Sequence, residues 1–390
     1  MTPQWIWQHP SWPDFGYSCE QLMPVLQEVS RRAVSLLARL GGPEVDDIAE
    51  LQVGTLVQNL LKTSQIEGEE LDVASVRSSL IRRLKPSAVL PSTVRPTAQS
   101  ESLATLIDEY TSARPNAVSL DEERVFQWHR LLFVGSPTPH VQTGAWRQGP
   151  DAMQVVSQKS GREVVHYEAP PASAVSSEME QFLDWFWVSA QQLSAAENSD
   201  LDENPWIRAA IVHFWFVTIH PFDDGNGRMA RALSDHAIAE YSPVLSRLLA
   251  IPASIEVRRR DYYTVLEHVQ RGSPADISPF LLFWLECVIH AFDRIETTLA
   301  RVIRRTRFWR HWRESDLLTP QIKLLHRMLG EGDDNFPQGI QAGEYSRLCR
   351  VDKATATRQL ADLTRRGILE QVGAGRSTRY VLRDSWGLND

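Results

Sequence analysis

Apolar residues recur at three- and four-residue spacing through Leu22 to Leu40, Ile48 to Ile66, Asp121 to Phe133 and Ser176 to Leu193. That period puts the apolar side chains on one stripe, so each stretch is predicted to form a helix that buries one face. Ile207 to Ile219 differs, being strongly apolar with His213 inside it. It is too short to cross a bilayer and reads as a helix buried all round. In Ala152 to Glu168 the β-branched pairs Val155-Val156 and Val164-Val165 flank Ser160-Gly161, which predicts a hairpin. The proline-rich stretch Lys85 to Pro96 separates two helical regions, and basic Arg301 to Arg313 reads as a linking helix. Beyond it, Pro320 to Leu329, Ala342 to Leu348 and a segment capped by Asp352 and running through Arg366 predict three helices. Gly367 to Val372 and Arg379 to Leu382 then form strands around Gly373 to Arg376, the element order of a winged helix-turn-helix domain. The expected fold class is mainly α. Residues 1–100 make an N-terminal helical region, 101–300 a central domain, and 301–390 the linker helix and winged-helix domain.

Composition narrows the class of protein. A chain of 390 residues is long enough for two or three domains, and 43% hydrophobic with 23% charged residues is ordinary for globular proteins. Cys19, Cys287 and Cys349 are odd in number and far apart, which argues against a disulfide framework. No charged-then-apolar leader opens the chain, so a cytoplasmic protein without a membrane segment is expected. Residues 301–390 hold 17 Lys/Arg against 11 Asp/Glu, leaving 24 against 38 for residues 1–300. A basic module on an acidic body points to separate partners, DNA among them. Lys353, Arg358, Arg365, Arg376 and Arg379 are the cations that would meet phosphates, although winged helices also dock proteins.

The chemistry is concentrated in His220-Pro221-Phe222-Asp223-Asp224-Gly225-Asn226-Gly227-Arg228-Met229-Ala230-Arg231. Gly225 and Gly227 let the backbone turn so that N–H groups face an anion at the start of the next helix. Arg228 and Arg231, three apart, share one helical face, and arginine pairs bidentately with phosphate. Asp224 is a hard oxygen ligand suited to Mg²⁺, and His220 titrates near neutrality and can take a proton from a hydroxyl. The alternative is a Gly-Asn-Gly turn between two core helices with its charges solvated.

This loop resembles the Fic family's His-x-Phe-x-(Asp/Glu)-Gly-Asn-Gly-Arg-x-x-Arg at every specified position. The resemblance implies a Fic-type helical bundle with a β-hairpin flap, and transfer of AMP from ATP to a Ser, Thr or Tyr hydroxyl of a target protein. It implies His220 as general base, Asp224 on Mg²⁺, and Gly225, Asn226 and Gly227 as the phosphate hole. Arg228 and Arg231 would hold the nucleotide's phosphates, Arg231 reaching the γ-phosphate. The hairpin would be the flap that docks the target's backbone by strand addition, and Gly144-Ala145-Trp146-Arg147 resembles the family's Gly-x-aromatic-Arg segment. Arg260 to Glu267 resembles the lining of the family's adenine pocket, with Tyr263 as the contacting aromatic and Gln270 where many relatives have Asn. A core role for Tyr263 stays open.

Thr63-Ser64-Gln65-Ile66-Glu67-Gly68 resembles the family's inhibitory motif, (Ser/Thr)-x-x-x-Glu-(Gly/Asn). Gly68 suits a helix C-cap, which puts Glu67 in the last turn, where its charge opposes the helix dipole unless a cation compensates. The resemblance supplies Arg231 as that cation, with Glu67 in the place of the γ-phosphate. Trp5-Ile6-Trp7-Gln8-His9-Pro10 and Trp12-Pro13-Asp14-Phe15 read as a packed aromatic cap, with His9 no ligand. A homodimer is expected. Two other functions stay open: a DNA-binding regulator whose Fic domain senses nucleotide, and an enzyme that removes AMP from modified targets.

Overall fold

The structure, a computed structural model, describes residues 4–41, 45–84, 95–112, 120–135, 141–159, 162–195, 204–330, 336 and 338–383. The expected Ser160-Gly161 turn and most of the proline-rich stretch lie outside the described residues. The chain divides into two compact units, Met1–Gly41 with Ile48–Glu296, and Gly42–Asp47 with Thr297–Asp390.

The first unit is helical. It holds α1 (Cys19–Arg39), most of α2 (Val45–Ile66), α3 (Val73–Leu84), α4 (Ala98–Thr111) and α5 (Glu122–Leu132). After the hairpin β1 (Gln154–Lys159) and β2 (Arg162–Glu168) come α6 (Ala172–Ala195), α7 (Pro205–Ile219), α8 (Asn226–Tyr241) and α9 (Pro243–Leu248). Next are α10 (Ile251–Val257), α11 (Arg259–Gln270) and the start of α12 (Ser278–His311). The apolar segment is α7, buried from Trp206 to Ile219 as its composition requires. Asn204 starts it by accepting from the Trp206 and Ile207 N–H groups, and Pro205 takes the first position, where no N–H is needed. Around α7 pack α6 and α8. Arg208 donates to Ser189 Oγ and the Phe186 carbonyl, both at 2.8 Å, which fixes α7 to α6. His236 Nδ1 meets the Tyr110 carbonyl at 3.0 Å, which fixes α8 to α4.

The hairpin is antiparallel, pairing Gln154 with Glu168 and Lys159 with Arg162, with an irregularity between Val155 and Val156. The aromatic cap packs beneath it: Trp5 meets Tyr167 edge-on at 5.4 Å, and Trp7 Nε1 donates to the Glu168 carbonyl at 2.8 Å. His9 turns to Ser11 Oγ, 2.8 Å away. On its other side, β2 is held by α11. Arg271 donates to the Val165 carbonyl at 3.0 Å, and His166 Nδ1 pairs with Glu267 at 2.8 Å.

The second unit contains the rest of α12, α13 (Thr319–Leu329), α14 (Ala342–Cys349), α15 (Lys353–Arg365) and the antiparallel strands β3 (Leu369–Val372) and β4 (Arg379–Leu382). Phe308, Leu324, Tyr345, Leu360 and Ile368 form its core. Asp352 caps α15 by accepting from the Thr355 N–H at 2.9 Å. Lys353, Arg358 and Arg365 are exposed on α15, whereas Arg379 is drawn to the Gly339 carbonyl at 2.9 Å.

Candidate active site

Helix α7 ends at His220, which takes a left-handed conformation, φ 54° and ψ 57°. That region is uncommon for any residue with a Cβ, so something must hold it there. Arg147 does. Its guanidinium Nε donates to the His220 carbonyl at 2.7 Å, and its backbone N–H to the Pro221 carbonyl at 2.9 Å. The His220 Nδ1 lies 3.1 Å from the Val217 carbonyl, an acceptor, so Nδ1 carries the proton and Nε2 keeps its lone pair. Burial pushes the imidazole down to about 4 against the opposing Val217 hydrogen bond, so His220 is neutral at pH 7 and able to act as a base.

The turn after His220 is locked by its own side chains. Asn226 Oδ1 accepts from the Phe222 N–H at 2.9 Å, and its Nδ2 donates to the Phe222 carbonyl at 2.8 Å. Gly225 sits at φ 80°, and a Cβ there would come within 2.9 Å of the Phe133 ring. It is also the N-cap of α8 and supplies no side-chain cap. The first N–H groups of α8 therefore have no intrahelical partner, and they concentrate positive potential at the turn. Asp224 Oδ1 accepts from the Gly225 N–H at 2.6 Å, and Oδ2 lies 3.9 Å from Arg228. The Asp224 side chain is about half exposed. Among the described residues no cluster of three or more His, Cys, Asp or Glu side chains forms a cage for a metal. A single open carboxylate is a donor set that Mg²⁺ takes where phosphate oxygens and water complete its shell.

Arg228 and Arg231 point to one place. Arg231 is 3% exposed; its Nη2 pairs with Glu67 Oε1 at 2.6 Å, and its Nε donates to Thr63 Oγ1 at 2.6 Å. The same carboxylate oxygen lies over Gly227, where a Cβ would come within 2.3 Å of it. Burial raises the Glu67 carboxyl, but Arg231, then Arg228 and Arg259, outweigh it and hold the group below its ordinary value. Arg231 Nη1 is buried without a partner. Helix α2 ends at Ile66, so Glu67 caps it. Gly68, at φ 84°, directs the Glu69 N–H back to the Ser64 carbonyl at 2.9 Å.

The structure thus brings His220, Asp224, Gly225, Asn226, Gly227, Arg228, Arg231 and Glu67 together. Tyr263 lies on α11 with its ring 39% exposed and Arg259 5.8 Å from it. Burial raises its phenol, and the Glu67 charge adds to the shift. Gln270 instead faces α7, buried, with its amide 3.2 Å from Thr218 Oγ1. Sequence reasoning missed His129. It is fully buried, Nδ1 accepting from the Gly144 N–H and Nε2 donating to the Asp224 carbonyl, both at 3.0 Å. Its ring stacks on Phe222 at 3.7 Å.

The buried histidines make the fold acid-sensitive. Burial holds His213 at about 3 and His236 at about 4, against an ordinary value of 6.5, and His220 moves the same way. Below 6.5 the unfolded chain takes up protons that the folded one refuses, so stability is present above that pH and is lost as pH falls toward 4. Each of His213 and His236 contributes on the order of 3 kcal/mol to that loss. Urea midpoints measured from pH 7.5 to 4.5 are expected to fall steeply; a flat profile would contradict the burial.

A helix ending in a neutral imidazole is followed by a turn at a helix N-terminus and two buried cations, a set suited to an anion. Residues 119–238 match the Fic/DOC family, and residues 5–85 match a domain of unknown function (DUF4172). The chain is 31% identical over 138 residues to a protein adenylyltransferase Fic of Nematostella vectensis, covering 35% of this chain and 28% of that one. It is 35% identical over 117 residues to one of Drosophila willistoni, covering 30% and 20%. The chain thus spans less than a third of the length of these relatives. Its fold matches a Fic family protein from Desulfovibrio desulfuricans G20 with a TM-score of 0.54 at 20% identity, over 95% of this chain and 98% of that one. The match to the Fic/DOC family thus covers residues 119–238 of this chain, the stretch that holds the site.

Proposed function

We propose that this protein transfers AMP from ATP to a side-chain hydroxyl of a target protein, and that Glu67 restrains it. The observation that carries the reading is the Glu67 carboxylate seated over Gly227 on Arg231, 2.6 Å from Nη2. A protein has reason to cover such a site with its own anion when the site otherwise takes a phosphate.

In this reaction the N–H groups opening α8 and the Arg228 and Arg231 guanidiniums hold the triphosphate. The target hydroxyl attacks the α-phosphorus, and its proton passes to His220 Nε2. The bond from the α-phosphorus to the bridging oxygen breaks, and pyrophosphate leaves. Asp224 is the residue that would hold Mg²⁺, which supplies charge neutralisation at the phosphates. Arg147 keeps His220 in its left-handed position, so the base does not have to be reoriented during the reaction. Tyr263, partly exposed on α11, is the aromatic that would meet the adenine, and the outer edge of β1 is where a target's backbone would pair.

ATP labelled at the α or at the γ position tests the chemistry. With Mg²⁺ and the Glu67→Gly protein, α-label is expected on protein and γ-label in pyrophosphate. Protein that retains the γ-label would make this a kinase-like transfer and overturn the reading.

A further inference from the structure

The turn that carries Glu67 holds a second carboxylate on the second phosphate cation. Glu69 Oε2 lies 2.6 Å from Arg228 Nη1. The φ of 84° at Gly68 reverses the chain between the two acids, so both reach α8 from one short turn. They meet Arg228 and Arg231, which lie three apart on one helical face. Both arginines are almost fully buried, at 4% and 3% exposure. A buried guanidinium without an anion is costly, so each needs one whether or not nucleotide is bound. For Arg228 the alternatives are poor. Asp224 stands 3.9 Å away, Phe133 offers its ring at 4.8 Å, and Nε is buried without a partner. Glu69 is the only carboxylate within hydrogen-bond distance of Arg228 among the described residues.

We infer that Glu69 is a second gating residue, and that the turn Glu67-Gly68-Glu69 mimics two anionic groups of a polyphosphate. This rests on the reading that Arg228 and Arg231 are the nucleotide's phosphate cations. A ligand takes the site only by replacing both carboxylates, so Glu69 helps to select ligands with more than one phosphate. Releasing Glu67 alone leaves one of the two contacts in place.

Nucleotide affinity tests this without turnover. In full-length protein carrying His220→Ala, ATP and AMP affinities are measured by calorimetry for the parent, Glu69→Gln, Glu67→Gly and the Glu67→Gly/Glu69→Gln pair. Gln keeps the length of the arm and can still accept from Arg228, so the fold is preserved; Glu69→Ser and thermal melts of every variant guard against misfolding. Glu69→Gln is expected to tighten ATP by about three- to tenfold, alone and on top of Glu67→Gly, the range for a partly exposed ion pair. The gain for AMP is expected to be smaller. Unchanged or weaker ATP binding in both backgrounds would overturn the inference, because Glu69 would then be a bystander or would be placing Arg228 for the phosphate. An equal gain for AMP would overturn the selection of polyphosphates. Should Glu67→Gly with intact His220 label nothing while these affinities shift as expected, the transferase reading fails and the two-point gate stands.

Discussion

Glu67→Gly is expected to convert a protein that labels itself weakly with AMP into one that labels itself strongly. The substitution removes a carboxylate that occupies the space over Gly227 and neutralises Arg231 at 2.6 Å. Arg231 is then buried without the Glu67 carboxylate, still bonded through Nε and Nη2 to Thr63. Leaving a buried cation without its anion costs roughly 3–5 kcal/mol. A γ-phosphate recovers much of that by taking the vacated place. Part of the loss is absorbed by water, since the Glu67 side chain is 29% exposed. The net gain in productive ATP use is therefore expected to be about ten- to a hundredfold, each tenfold corresponding to roughly 1.4 kcal/mol. Label incorporated per minute by wild type and variant, at matched concentration with melts showing both folded, measures it. Equal incorporation would mean that Glu67 is not what restrains the site.

How much of this was legible beforehand depended on how local each feature is. The glycine turn, its two arginines and the helix before it lie within one continuous run, Ile207 to Arg231, so their juxtaposition is local. The turn that carries Glu67 is also readable as a short motif, and its Thr63 hydroxyl accepts from Arg231 Nε at 2.6 Å. What could not be read was the support from distant segments. His129 reaches Asp224 across 95 positions and Arg147 reaches His220 across 73. Neither pair leaves a periodic trace in the chain, because each depends on how α5 and the segment before the hairpin pack on α7. Glu69 stands just beyond the motif, and only the reversal at Gly68 shows that it faces Arg228. Gln270 shows the opposite limit. Its amide stands at a suggestive spacing after Tyr263, yet the packing of α11 on α7 turns it to Thr218 and away from solvent. Arg379 was counted with the cations for phosphate, but the strand it starts brings it to the Gly339 carbonyl.

Removing the base should undo what Glu67→Gly releases. In the Glu67→Gly background, His220→Asn is the sharper substitution, since asparagine tolerates the left-handed backbone at φ 54° better than alanine does. The Arg147 contact to the carbonyl at this position uses only backbone and survives the exchange. The phosphate cations and the N–H groups of α8 are also untouched, so ATP affinity should stay within a few-fold of the parent. What disappears is the imidazole Nε2 lone pair that accepts the hydroxyl proton. General-base catalysis contributes about 10²–10⁴-fold, so labelling is expected to fall by that factor with the apparent ATP affinity kept. In the histidine form the acid limb of the rate profile should appear near pH 4 and not near 6.5, because burial holds the group at about 4. The asparagine form should keep only the acid loss that comes from unfolding, which melts at each pH identify. Labelling that survives His220→Asn undiminished would assign the proton to another group. Loss of ATP binding together with rate would make His220 a binding residue, which the separation of its imidazole from Arg228 and Arg231 in the hydrogen-bond network argues against.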